Sequence, residues 1–217
     1  MTNKAVKELV ANPASSVTLE VENLAAARGL RVLFEGLAFR LAAGDILELR
    51  GPNGSGKSTL LRILAGLTRQ HAGTVKLTAP DEDAARHYLG HSDAVKPTET
   101  AAEQARFWAR YFGRTEDEAK NAILRTGLSQ RADVPGRGLS AGQKRRLALT
   151  RLLIDPRPVW LLDEPTAALD VEGRKLVDTL VAEHRSAGGI VVAAIHGDGF
   201  ANSSTLDLSK LTQPVPT

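Results

Sequence analysis

The sequence has 217 residues, a formal net charge of +3 at pH 7 and no cysteine. A chain of this length accommodates one α/β domain, at roughly 100–200 residues per domain, and leaves little room for an appended substrate domain. The small charge does not predict the basic face of a nucleic-acid-binding protein. The lack of cysteine excludes disulfides, thiol catalysis and cysteine-ligated metals.

Residues 1–16 are predicted to be a loose lead-in, because Asn12-Pro13-Ala14-Ser15-Ser16 interrupts any helix begun before it. Neither a signal-peptide core nor an apolar run of roughly 18 residues, the length of a membrane span, is evident. The longest apolar run, residues 188–195, has the length of a strand. We therefore expect a cytosolic chain that contacts a membrane only through a partner.

Alternating apolar residues predict several strands in the first half of the chain. They lie at residues 17–21, 32–41, 46–49, 73–77 and 86–90, and the last leads into a loop at residues 91–97. This pattern predicts a small antiparallel β-subdomain laid against a parallel α/β core.

A glycine-rich loop at residues 51–59 follows the predicted strand at 46–49 and leads into a predicted helix at 60–65. Its residues are Gly51, Pro52, Asn53, Gly54, Ser55, Gly56, Lys57, Ser58 and Thr59. Glycines allow successive backbone N–H groups to face a phosphate, and the helix that begins near Lys57 adds its positive dipole end. Lys57 is expected to reach the β- and γ-phosphates and the Ser58 hydroxyl to ligate Mg²⁺. The loop predicts binding of a nucleoside triphosphate.

The middle of the chain changes from strands to helices. Apolar residues at helical spacing predict helices at residues 98–112 and 116–128, within a helical insertion that ends at residues 135–138. Thr115 is a predicted N-cap. The first of these helices contains Phe107, Trp108, Tyr111 and Phe112. These aromatic side chains either pack the helices together or form a docking surface for another protein.

An α/β pattern returns after the insertion. It predicts helices at residues 141–154 and 171–187, buried strands at 159–162 and 190–195, a strand at 204–208 and a C-terminal tail at 209–217. In the first of these helices, Lys144, Arg145 and Arg146 are assigned to the polar side.

Polar residues follow both buried strands, at the sheet edge where open α/β proteins bind ligands. Asp163 is predicted to support the Mg²⁺ shell, and Glu164 to act as general base or orienter for the water that attacks the γ-phosphate. A solvated acidic pair is the alternative. His196 either makes a structural hydrogen bond or contacts the γ-phosphate or the attacking water.

A second helix terminus suited to an anion lies at residues 139–143. Ser140 is a predicted N-cap, and Gly142 leaves backbone N–H groups exposed. One nucleotide site per chain does not account for this terminus. It is explained if it serves the nucleotide bound by a second copy of the chain.

Together these motifs resemble those of the ATP-binding cassette (ABC) ATPases, over residues 17–208. The matching stretches are GPNGSGKSTLL at 51–61, LSAGQ at 139–143 where the family has LSGGQ, VWLLDEP at 159–165, the D-loop at 168–170, and His196 as the switch histidine. The resemblance implies a P-loop NTPase fold in one domain, with a mixed or parallel core sheet, an antiparallel β-subdomain and a helical subdomain at about residues 98–138. It further implies ATP and Mg²⁺ as cofactors and a head-to-tail homodimer, in which Ser140, Gly142 and Gln143 contact ATP held by the partner's phosphate loop.

Within that family, three stretches resemble the ATPase subunits of cytochrome c maturation, the haem-exporter type called CcmA. They are Leu33-Phe34-Glu35-Gly36-Leu37, Leu89-Gly90-His91 with Lys96-Pro97, and the LSAGQ motif followed by Lys-Arg-Arg. The resemblance implies ATP hydrolysis that drives haem delivery to periplasmic apocytochromes. It also implies a CcmB-like integral membrane permease as partner, and a peripheral location on the cytoplasmic side of the bacterial inner membrane.

The sequence departs from the family pattern at two places. Ser92 or Asp93 stands near the position of a loop glutamine that usually bridges the metal to the membrane partner. Arg28 stands near the aromatic residue that usually stacks on adenine, and its planar guanidinium is expected to stack instead.

These features predict the ATP-hydrolysing subunit of a transporter complex. An exporter of a drug, a lipid or another small molecule is an alternative, because the substrate path lies in a partner. Non-transport ABC ATPases that act on DNA or ribosomes are less consistent with one short cassette. A regulatory module without turnover is less consistent with intact Glu164 and His196.

Overall fold

The computed structural model describes residues 17–82 and 84–211, so the predicted lead-in at 1–16 and most of the predicted tail at 209–217 lie outside it. An antiparallel sheet has the strand order β2-β1-β4. Its strands are β1 (Thr18–Arg28), β2 (Arg31–Ala42) and β4 (Ala72–Thr78). β1 is longer than the predicted strand at 17–21. Its apolar alternation breaks at a bulge between Val21 and Leu24, where Asn23 has a φ of 47°, and the strand then continues.

A second sheet is parallel throughout and has the order β5-β6-β7-β3-β8. Its strands are β3 (Ile46–Arg50), β5 (Arg86–Leu89), β6 (Val159–Asp163), β7 (Ile190–Ala194) and β8 (Ser204–Asp207). Every residue of β6 and β7 is buried, as their unbroken apolar sequences predict. Since the strands are parallel, their carboxyl ends meet at one edge, where the phosphate loop and Asp163 lie.

Helices cover both faces of the parallel sheet. Helix α1 (Lys57–Leu64) shares one apolar cluster with alternate residues of β3, β6 and β7, including Leu49, Leu161 and Val192. Helices α4 (Ala141–Ile154) and α5 (Val171–Ser186) pack on the opposite face, against Leu162 and Val191. A short 3₁₀ turn at Leu208–Lys210 follows β8. The predicted P-loop NTPase fold, with an antiparallel β-sheet beside a parallel α/β core, is confirmed.

The helical insertion contains α2 (Ala101–Tyr111) and α3 (Glu116–Arg125). Thr100 and Thr115 begin these helices with capping boxes completed by Glu103 and Glu118, so the predicted N-cap at Thr115 is confirmed. Both helices pack on α4 through small and branched side chains. The domain bounds 17–208 and 98–138 stay predictions. Among the helices of the described residues, none combines the length and the apolarity needed to cross a bilayer.

Candidate active site

The loop between β3 and α1 has a conformation that favours glycine. Gly51, Gly54 and Gly56 have φ angles of 134°, 81° and 103°. A Cβ atom on Gly51 would lie 2.8 Å from Ser55 Oγ, and one on Gly56 would lie 3.1 Å from the ring of Phe34. The glycines therefore permit both the backbone angles and the close packing of a phosphate-binding loop.

Several hydrogen-bond donors at the start of α1 lack partners in the described part of the protein. The N-cap, Gly56, contributes no side-chain hydrogen bond, so the N–H groups of Lys57, Ser58 and Thr59 have no acceptor within the helix. Ser55 Oγ is buried and has no hydrogen-bond partner among residues 17–82 and 84–211. An uncapped helix start beside an unpaired hydroxyl is suited to an anion.

Lys57 is folded back over this loop. Its side chain is buried, and its Nζ donates to the carbonyl oxygens of Gly51 at 2.7 Å and Pro52 at 3.1 Å. Both acceptors belong to the loop, so the ammonium group is held at the place where the loop would receive phosphate. The contact of Lys57 with phosphate stays a prediction.

A cavity of about 400 Å³ opens over the loop. It is lined by Arg28, Arg31, Leu33, Asn53, Gly54, Gly56, Lys57, Ser58, Thr59 and Glu164. Besides the loop residues, the sequence analysis expected two of these side chains at the site. Arg28 was expected near the adenine base, and Glu164 near the γ-phosphate. Arg31 was missed by the sequence interpretation, although it pairs with Arg28 across the β1–β2 hairpin.

Asp163 ends β6 as a buried residue. It is 3% exposed, and no group in the described part of the chain donates a hydrogen bond to its carboxylate oxygens. Burial, followed by the nearby Asp163 charge, raises the pKa of Tyr88. A buried carboxylate without a donor favours a cation as its partner.

Glu164 has a strained backbone that is held in place from two sides. Its φ angle is 52°, in the left-handed region. Its N–H donates to the carbonyl of Ala194 on β7 at 2.9 Å, and its carbonyl accepts from Arg145 Nη2 at 2.7 Å. The strain is therefore supported by neighbouring elements, and it directs the side chain into the cavity.

Two histidines contact the Glu164 carboxylate. His196 Nε2 lies 3.2 Å from Oε1, so His196 contacts the residue that lines the cavity. His91 Nδ1 lies 3.4 Å from Oε2. The sequence interpretation placed His91 in a loop and gave it no role. The signal that could have indicated this contact was the position of His91 just after β5, at the same sheet edge as Glu164.

Arg145 joins α4 to the ends of β5 and β6. Its guanidinium donates to the carbonyl oxygens of Gly90, Asp163, Glu164 and Pro165 and to the Asp93 carboxylate. Arg145 is 2% exposed, so its assignment to the polar side of the helix was wrong. The signal was its spacing, because residues four and seven positions later are the buried Leu149 and Leu152.

The loop at residues 91–97 contains the two candidates for the family's glutamine position. The Asp93 carboxylate forms an ion pair with Arg145, with Oδ1 at 2.9 Å from Nη1. Ser92 is exposed. Within this loop, the described contact with the Glu164 carboxylate comes from His91.

Glu48 anchors the segment after His196 to the strand before the phosphate loop. It is 1% exposed, although the alternating sequence of β3 predicts one solvated face. Its carboxylate accepts from the Phe200 N–H at 2.6 Å, from Ser203 Oγ at 2.8 Å and from Arg50. Burial by itself would raise the pKa of Glu48, but the hydrogen bonds from Arg50, Ser203 and Phe200 lower it below the usual range.

The residues of the second anion-suited terminus lie apart from the phosphate loop. Ser140 caps α4, and its capping box uses the side-chain oxygen of Gln143. Gly142 approaches the D-loop so closely that a Cβ atom would lie 2.9 Å from the Ala168 carbonyl. A separate cavity of about 400 Å³ is lined by Gly127, Leu128, Ser140, Ala141, Gly142, Gln143, Arg146, Ala168 and Asp170. This cavity shares no lining residue with the phosphate-loop cavity.

The aromatic side chains of α2 form one contiguous cluster. Trp108 stacks on Phe112 with a centroid distance of 5.7 Å, and both are partly buried against the helical core. Phe107 stacks on Tyr111, and these two are exposed by 37% and 70%. Packing therefore accounts for Trp108 and Phe112, whereas Phe107 and Tyr111 present aromatic surface to solvent.

Comparisons with known proteins agree with this geometry. Residues 34–167 match the ABC transporter family. The chain is 50% identical over 195 residues to the "Cytochrome c biogenesis ATP-binding export protein CcmA" of Paramagnetospirillum magneticum, covering 85% of this chain and 90% of that protein. It is 48% identical over 184 residues to the protein of the same name from Rhodospirillum rubrum, covering 82% of this chain and 79% of that protein.

A solved structure of an ABC transporter ATP-binding protein from Pyrococcus furiosus matches with a TM-score of 0.79. The match covers 90% of this chain and all of that one at 18% identity, which supports the fold. With a phosphate loop, a strand-end carboxylate pair, a contacting histidine and these relatives, the chain belongs to the ABC transporter family of ATPases, among the CcmA-type ATP-binding subunits.

Proposed function

We propose that the chain is the ATP-binding and ATP-hydrolysing subunit of an ABC transporter complex that energises haem export, or haem delivery, in c-type cytochrome maturation. The observation that carries the ATPase assignment is that Glu164 lines the same cavity as Lys57 and Ser58. The biological process is taken from the names of relatives that are 44% to 50% identical to this chain.

In the proposed mechanism, the phosphate loop binds the triphosphate and Glu164 acts on water. Lys57 and the free N–H groups at the start of α1 would offset the negative charge of the β- and γ-phosphates. Glu164 would orient the attacking water or accept its proton, a role that typically contributes about 10²- to 10⁴-fold in rate. His196, at 3.2 Å from Glu164, would connect the state of the γ-phosphate to the segment after β7.

The oxygen groups at the cavity are compatible with Mg²⁺. Ser58 lines the cavity, and the buried Asp163 has a carboxylate without a donor among the described residues. Mg²⁺ prefers such oxygen ligands, often with water between the carboxylate and the metal. When bound, the ion would neutralise charge that develops on the phosphates. We therefore assign Ser58 and Asp163 as its holders.

The separation of the two cavities supports a head-to-tail homodimer. Ser140, Gly142 and Gln143 line a cavity that shares no residue with the phosphate-loop cavity. Within one chain they therefore do not face the same ligand. In a dimer, the signature motif of one subunit would close over the nucleotide held by Lys57 of the other.

The proposed membrane partner is a CcmB-like permease, with the ATPase bound peripherally at the cytoplasmic side of the bacterial inner membrane. The exposed pair Phe107 and Tyr111 supports a docking site on α2, because aromatic side chains supply much of the energy at protein interfaces. Lys96, from the loop after β5, lies 4.6 Å from the centre of the Phe107 ring. This contact would link a docked permease to the loop that carries His91.

The test is covalent haem staining of c-type cytochromes in cells that lack the gene, complemented with wild type or Lys57→Ala. We expect haem staining to be lost in the deletion strain and restored by wild type alone. Normal staining in the deletion strain would refute the cytochrome assignment and leave export of another small molecule or lipid as the function. Full rescue by Lys57→Ala would refute the need for ATP.

A further inference from the structure

His91 reaches Glu164 because of the strand register. In the parallel pair β5 and β6, Leu89 is opposite Leu162. Two residues later on each strand, His91 stands beside Glu164, with Nδ1 at 3.4 Å from Oε2. The contact is therefore set by the pairing of two core strands, although the His91 side chain itself lies on the open rim of the cavity.

The main chain of Glu164 is fixed, whereas the contacts of its carboxylate within residues 17–82 and 84–211 come from two histidines. The backbone N–H is bound to Ala194 and the backbone carbonyl to Arg145. Within the described chain, the side-chain partners of the carboxylate are His196 at Oε1 and His91 at Oε2. One partner on each oxygen limits rotation of the carboxylate, since a turn about its terminal torsion would break both contacts.

Neighbouring charges do not compete with His91 for this carboxylate. Asp93, two residues later, is bound to Arg145, and Arg145 directs its other donors to backbone carbonyls. His91 Nδ1 is therefore the polar atom that faces Oε2 from the loop after β5.

We propose that His91 is a positioning residue for ATP hydrolysis, acting through Glu164. It holds Oε2 while His196 holds Oε1, so that the carboxylate presents a defined lone pair to the attacking water. This inference rests on the role proposed above for Glu164. His91 touches neither water nor phosphate in this scheme, so its loss should change the rate of the chemical step and leave nucleotide affinity unchanged.

The experiment compares steady-state ATPase activity of the full chain as wild type, His91→Ala, His91→Asn and His71→Ala. Asparagine places an amide group near the position of Nδ1, so it tests the polar contact apart from the ring. His71 is an exposed histidine before β4 and provides the matched control. Equilibrium binding of a fluorescent ATP analogue gives nucleotide affinity independently of turnover.

We expect His91→Ala to lower kcat by about tenfold to a hundredfold, as for misplaced catalytic groups, with KM and analogue affinity within about twofold of wild type. His91→Asn should recover most of kcat, and His71→Ala should match wild type. In a Glu164→Gln background, His91→Ala should add less than about a twofold loss, because residues that act as a unit are not additive.

Three results would overturn the positioning role. They are a kcat within about twofold of wild type in His91→Ala, a loss of analogue binding that parallels the loss of rate, and a full further loss in the Glu164→Gln background. Failure of the ATPase assignment itself would look different, because wild type and His71→Ala would then show no turnover.

Discussion

Replacing Arg145 by methionine tests the buried contact that connects the signature helix to the active-site strand. The guanidinium is 2% exposed and satisfies the Asp93 carboxylate together with the carbonyls of Gly90, Asp163, Glu164 and Pro165. Methionine has a similar length and cannot donate. The variant therefore removes the hydrogen bonds and the charge while it keeps much of the packing.

The expected cost follows from these contacts. Breaking a buried ion pair costs about 3–5 kcal/mol when the remaining charge stays buried. The Asp93 side chain is 23% exposed, so it regains some hydration, and we place its share near the lower end of that range. Buried carbonyls that lose their donor and are not reached by water add about 1 kcal/mol each. The Asp93 share alone therefore predicts a decrease of at least about 3 kcal/mol in the free energy of unfolding, or at least about 6–12 °C in Tm, and each carbonyl that stays dry increases it.

The assay is urea unfolding followed by ATPase measurement on the same preparations. Lys144→Met, on the same helix, is the matched control and should stay within about 0.5 kcal/mol of wild type. Arg145→Lys should recover part of the loss, because an ammonium keeps the charge and cannot reach all five acceptors. Arg145→Met combined with Asp93→Asn should be less destabilising than the sum of the single changes by at least about 1 kcal/mol. An unfolding free energy of Arg145→Met within about 0.5 kcal/mol of wild type would refute this account of Arg145.

The remaining predictions concern the nucleotide site and the response to pH. Glu164→Gln should retain ATP binding and accumulate as an ATP-bound dimer, measurable by size-exclusion chromatography with light scattering; unimpaired turnover would contradict the role of Glu164. Lys57→Ala should lose tight ATP binding in a calorimetric titration, because the loop loses its fixed cation; wild-type affinity would contradict this. Burial lowers the pKa of His87 and of His184 to about 4 in the folded protein. The unfolded chain has a histidine pKa of about 6.5, so between about pH 6.5 and pH 4 it binds more protons than the folded protein. The free energy of unfolding should therefore fall as pH decreases from about 6.5 towards 4, by about 2 kcal/mol per histidine at pH 5. In urea titrations, His87→Gln should remove about half of this pH dependence. An unchanged dependence would contradict the assignment to His87.

Local patterns were sufficient to predict the elements that carry the nucleotide site. The sequence of residues 51–59 predicted the loop between a strand and a helix, and the apolar runs before Asp163 and His196 predicted buried parallel strands. These predictions were possible because glycine conformations, helix capping and the alternation of apolar residues are short-range properties of the chain. Thr115 and Ser140 as N-caps were predicted for the same reason.

Charged residues in the core could not be placed in this way. Arg145 was assigned to the polar side of its helix, and the sequence analysis did not single out Glu48, because an isolated charge is costly to bury. The fold supplies their partners from distant segments, with Asp93 and Gly90 on one side of Arg145 and Phe200 and Ser203 beside Glu48. Whether a charge can be buried depends on these partners, and residue type alone does not specify them.

The sequence by itself predicted a triphosphate site and determined which residues form its glycine-rich loop and which acids end the neighbouring strand. Only the tertiary structure decided how those acids are held. The parallel register of β5 and β6 brings His91 to Glu164, and the register of β6 and β7 brings the Ala194 carbonyl to its backbone. The physical reason is that the Glu164 carboxylate contacts groups far away in sequence, and their distances are fixed by sheet pairing and helix packing rather than by any local pattern.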